Sequence, residues 1–109
     1  MGYQRLAPIH SVHEDDPEFS EGIDAFVVGL GEWIDTLQDA HAAGDFETVV
    51  ARAAAQALAA TTLGYPGLSD AARQVVCAAE AGEDENSRKA IGDLIELVQR
   101  VRLGHRSAA

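Results

Sequence analysis

Residues Ala51 to Leu68 read ARAAAQALAATTLGYPGL, and the fold turns on them. As far as Thr62 the stretch holds no glycine, no proline and no charge other than Arg52. Alanine is the strongest helix former, so this is the body of a helix. Gly64-Tyr65-Pro66-Gly67 then breaks it, because proline lacks the amide that a continuing helix needs. At the other end, Gly44 stops whatever precedes it, and Asp45 can accept hydrogen bonds from the free amides of a new first turn. The helix presents Phe46, Val49, Val50, Ala53, Ala57 and Ala60 on one side. Its outward side carries Ala51, Ala55, Ala59 and Thr62 beside Arg52 and Gln56, a smooth strip where a solvated helix ordinarily carries charge.

The pattern repeats outward from this stretch. Asp16 caps a first helix with Pro17 at its first position, where a missing amide costs nothing. Phe19, Ile23, Phe26, Val27, Leu30, Ile34 and Leu37 then recur at three-and-four spacing. Gly29 and Gly31 weaken its middle by roughly 1 kcal/mol each against alanine, which predicts a bend or a close helix contact. Past the break, Ser69 is the expected cap of a third helix with Ala72, Val75, Val76 and Ala79 inward and Gly82 at its close. Glu83-Asp84-Glu85-Asn86 reads as an acidic loop before a fourth helix bearing Ile91, Leu94, Ile95, Val98 and Val101.

Residues 1–15 contain Pro8 and lack helical periodicity, so they read as an extended N-terminal arm; residues 105–109 read as a frayed tail. Four amphipathic helices on short connections, with no strand-like alternation, predict an all-α fold: an antiparallel up-down four-helix bundle over residues 16–104. Its expected core is Phe19, Ile23, Phe26, Leu30, Ile34, Val49, Ala53, Val75, Val76, Ile91, Leu94, Ile95 and Val98. Bundles host many activities, so the fold alone names none.

Composition narrows the function. A chain of 109 residues is one domain, able to bury a core without disulfides or metals. Neither a signal segment nor a membrane-length apolar run is visible, and the lone Cys77 suits a reducing compartment, so a cytoplasmic protein is expected. Cys77 itself reads as a small half-buried hydrophobe. Eighteen acidic residues against eight basic give a net charge of −10, and no basic stripe interrupts them. Nucleic acid and anionic membrane surfaces are therefore excluded as partners.

Several pieces in order resemble the histidine-phosphotransfer (HPt) family, the four-helix relay domains of bacterial phosphorelays. They are Asp15-Asp16-Pro17-Glu18-Phe19 leading into Phe26-Val27, then Ala42-Ala43-Gly44-Asp45-Phe46, then Leu63-Gly64-Tyr65-Pro66-Gly67-Leu68-Ser69 with Ala71-Ala72, and the apolar last helix. The resemblance spans nearly the whole chain. It implies a phospho-accepting histidine on the second helix, followed by a lysine and a glycine. Counting ten residues on from Gly44 and ten back from Gly64 both land on Ala54. Matching Ala51-Arg52 and Gln56 instead places the slot at Ala55. The lysine slot holds Ala57 or Leu58, and the glycine slot Leu58 or Ala59.

Each missing part matters. Imidazole is the nucleophile that takes the phosphoryl group, and a methyl group cannot replace it. An ammonium offsets the charge of the phosphohistidine, and a small residue leaves room for the partner. With all three replaced, no catalytic residue is expected at this site and transfer through it is excluded. The remaining histidines are poor substitutes. His41 falls in the last turn of the first helix, where an imidazole is favourable in any case. His10 and His13 lie beside Glu14, Asp15 and Asp16, a spacing able to gather a metal ion, but two histidines on an extended arm are a weak signature. No metal and no cofactor are expected. His105 falls on the tail.

The expected function is a non-catalytic interaction module of two-component signalling that docks a receiver domain or a histidine kinase, or pairs with a second copy. Arg52, Ala54, Ala55, Gln56, Leu58 and Ala59 form the expected contact face, with Tyr65 at its edge. The alternatives are a phosphorelay component using another histidine, or an unrelated helical adaptor. No convergent nucleophile, base and orienting group is visible, so an enzyme is not expected.

Overall fold

The computed structural model describes residues 7–108, with side chains as far as His105. The expected arm at residues 1–6 and the tail residue Ala109 lie outside the described residues. The described chain forms four helices and no strand: α1 (Pro17–Ala42), α2 (Phe46–Thr62), α3 (Pro66–Glu80) and α4 (Asp84–Ala108). α2 makes its most extensive contact with α3, α3 packs on α4, and α1 touches α2 and α4 more sparingly. The result is a helical bundle.

The boundaries follow from local chemistry. Asp16 accepts a hydrogen bond from the Glu18 amide at 3.0 Å, with Pro17 opening α1. Asp45 accepts from both the Thr48 hydroxyl at 2.6 Å and the Thr48 amide at 3.1 Å. The Thr48 hydroxyl, and secondarily its amide, hold the Asp45 carboxyl below its ordinary value. Between α1 and α2 the chain passes through Gly44 at φ +73°, the left-handed conformation that ends helices and favours glycine.

Three expectations need correction. Ser69 is no cap: α3 starts three residues earlier at Pro66, Tyr65 sits at the cap position without a side-chain bond, and Ser69 is buried inside the helix. The acidic run is no loop either. α4 begins at Asp84, so Asp84 and Glu85 occupy its first turn, where the amide ends of the helix favour carboxylates. Third, the tail is helical as far as Ala108. At Gly29 and Gly31, α1 continues as helix and neither glycine admits a close neighbouring backbone. A β-carbon on Gly29 would meet nothing within 4 Å, and one on Gly31 would meet only the Arg102 guanidinium at 3.6 Å.

Ile23, Leu30, Ile34, Val49, Ala53, Val75, Ile91, Leu94 and Val98 are buried. Val27, Leu37, Val101, Leu68 and Tyr65 join them, with Ala57, Ala60, Ala72 and Ala79 filling the narrow places. Phe19, Phe26, Val76 and Ile95 are only half-buried and pack against this cluster from its margins. Ile95 lies at the rim of a groove between α1 and α4, beside Gln38, His41 and Ile91. Across the same two helices His41 Nε2 and Asp84 Oδ1 stand 3.2 Å apart, and His105 Nε2 meets Asp24 Oδ1 at 3.0 Å.

Leu94→Ala should therefore cost about 2–5 kcal/mol of unfolding free energy, and Ile95→Ala clearly less. Denaturant titration measures both. A loss below about 0.5 kcal/mol at Leu94 would remove it from the core and displace the register of α4.

Candidate functional site

The outward face of α2 is built by subtraction. With Val49, Ala53, Ala57 and Ala60 committed to the core, the 3.6-residue period turns Ala51, Ala54, Ala55, Leu58, Thr61 and Thr62 to solvent. Both candidate slots, Ala54 and Ala55, are exposed. Leu58 is 72% exposed and is the one large apolar side chain on this face. Arg52, Gln56 and Ala59 are half-buried at its flank, and Arg52 Nε is enclosed without a hydrogen-bond partner. No exposed side chain between Ala51 and Thr62 carries a charge.

Tyr65 departs from expectation. Instead of edging the face, it is 2% exposed and stacks on Phe26 with ring centroids 5.7 Å apart. Gly64, at φ +88°, turns the chain ahead of it, and Pro66 starts α3 immediately after. Burial, with a smaller contribution from the Glu14 carboxylate, pushes its phenol above the ordinary value. Tyr65 holds the corner behind the face and offers a partner nothing.

The same corner is tied across the helices. Ser69 Oγ donates to the Ala57 carbonyl at 2.9 Å and lies 2.7 Å from Thr61 Oγ1. These bonds fix α3 against the middle and end of α2. Ser11, ahead of α1, donates its hydroxyl to the Leu63 carbonyl, and the Val12 amide donates to the Gly64 carbonyl at 2.9 Å. Sequence reasoning missed Ser69 and Ser11 as tethers. Hydroxyls that bond across 12 and 52 residues of chain leave no local pattern to read.

The histidines are dispersed. His10 Nδ1 meets Glu14 Oε1 at 3.2 Å, and His13 stacks on Phe19 with centroids 4.3 Å apart, so the segment before α1 is folded onto the bundle and makes a turn at Val12–Asp15. His41 packs edge-on to Phe46 with its side chain only 12% exposed. None lies on α2. Among the described residues no three His, Cys, Asp or Glu side chains gather to hold a metal ion. No described helix is long and apolar enough to cross a membrane. Cys77 is exposed, not half-buried as expected, because it lies on the outer side of α3 in the open groove shared with α4.

No protein-family model, no curated protein and no solved structure matches the chain.

The Tyr65 environment has a consequence for stability at high pH. The folded chain holds the phenol neutral above the pH at which the unfolded chain ionises it. Stability should thus be complete below about pH 10 and fall as pH rises through the folded-state value. Unfolding free energies measured across that window should show the decline in the parent chain and lose it in Tyr65→Phe. An unchanged decline in that variant would assign the effect to another group.

Proposed function

We propose that this chain is an HPt-like, non-catalytic interaction domain of two-component or phosphorelay signalling, docking a receiver domain or a histidine kinase through α2. One observation carries the reading: both positions at which the resemblance expects a phospho-accepting histidine are alanines on an exposed face free of carboxylates. In a chain of net charge −10, a strip without carboxylates is where another protein approaches with least electrostatic penalty. Small side chains allow a close approach, and Leu58 supplies an apolar anchor at the centre.

The up-down antiparallel arrangement and the N-terminal arm belong to this reading. The pairs His41–Asp84 and His105–Asp24 support the arrangement, since each joins the end of one helix to the opposite end of its neighbour. A cytoplasmic location follows from the proposed partners. A contact face of this size and rigidity gives modest, roughly micromolar affinity concentrated in a few residues.

The purified chain should accept no phosphoryl group from small donors or from phosphorylated response regulators. Acid-labile, alkali-stable label on the protein would contradict this, and its mapping to His10 or His41 would favour an active relay. Ala55→Arg should abolish binding to a partner recovered by pull-down, with helicity and melting temperature nearly unchanged, since exposed helix positions tolerate arginine. Undiminished binding would move the interface off α2.

A further inference from the structure

Residues 7–15 lie against the bundle yet add almost nothing to its core. Ser11 is buried and Ile9 and His13 are half-buried, while Ala7, Pro8, His10 and Val12 are exposed, Val12 at 70%. Polar bonds hold the segment. The Ile9 amide donates to the Arg100 carbonyl at 2.9 Å, Arg100 Nε donates to the Ala7 carbonyl at 2.9 Å, and Ser11 and Val12 bond the Leu63 and Gly64 carbonyls. Two glycines make room for it. A β-carbon on Gly104 of α4 would overlap the Ile9 carbonyl, and one on Gly64 would stand 2.9 Å from both Val12 and His13 side-chain carbons. An open cleft of about 260 Å³ separates its His10, Ser11 and Glu14 from Tyr65, Asp24 and His105 of the bundle.

We propose that residues 7–15 are a detachable strap, hinged at Asp16-Pro17, that leaves its seat while the four helices stay folded and so uncovers Tyr65. The helices are held by apolar burial, which the strap barely shares. The strap is held by hydrogen bonds, each of which is exchanged for one to water on release, and release restores chain freedom. The apolar contact that must break is the His13–Phe19 stack, together with the half-buried edge of Ile9. The His10–Glu14 pair lies wholly within the strap and moves with it. Leu63 and Gly64 end α2, so opening also unpins the last turn of that helix.

Hydrogen exchange on the full chain tests this. The Ile9 and Val12 amides should exchange at least about tenfold faster than core amides such as Ala57 and Leu94, as local opening requires. Alanine is the better helix former yet cannot share its place with the Ile9 carbonyl. Gly104→Ala should therefore accelerate exchange at Ile9 and Val12 by about a further tenfold or more, leave core protection intact and return Tyr65 ionisation toward its ordinary value. Ser11→Ala, which leaves α4 untouched, should loosen the same two amides selectively. Strap amides exchanging with the core, or either variant loosening the helices together with the strap, would make the segment an integral part of the bundle and overturn the proposal.

Discussion

The contact between α2 and α3 is the constraint on which the rest depends. It is the most extensive helix contact in the molecule, and α2 brings mostly alanines to it. Ser69 inside α3 bonds the Ala57 carbonyl and fixes the register. Once Val49, Ala53, Ala57 and Ala60 face inward, the helical period leaves Ala54, Ala55 and Leu58 facing out. The buried seam and the exposed strip are two sides of one decision, and α1 and α4 close around it with lighter contacts.

Local signals were legible where the physics is local. Asp16-Pro17, Gly44-Asp45 and Gly82 mark boundaries because caps and left-handed glycines act within a few residues. The apolar stripes located most of the core for the same reason. Errors arose where one residue type serves two purposes. Ser69 after Pro66-Gly67 has the form of a cap, but proline opens a helix equally well and a buried serine can bond a neighbouring backbone. Acids at 84 and 85 suit a loop or a first turn alike. His105 has the composition of a tail, yet Asp24, 81 residues away in sequence, meets it within the helix. Tyr65 sits in a turn sequence and is buried by packing that no local pattern encodes.

Charge gives the functional reading its shape. Carboxylates cover much of the surface, and the outward strip of α2 between Ala51 and Thr62 is free of them. Alanine at both positions where the HPt resemblance would place a histidine, on a small-residue face free of carboxylates, supports the proposal of a surface suited to contact without chemistry. Arg52, half-buried with an unpartnered Nε, sits at the flank of that surface.

The most direct test installs the groups that the HPt resemblance calls for. Ala54→His, Ala55→His and Ala55→His with Leu58→Lys give three variants to incubate with each phosphorylated receiver domain of the native organism. If the scaffold is HPt-like and keeps its docking geometry, at least one variant will acquire acid-labile, alkali-stable label on the introduced histidine, and the parent chain will acquire none. Three folded variants that all stay unlabelled with every receiver would contradict the account and leave an alanine-rich bundle with no tie to phosphorelay partners.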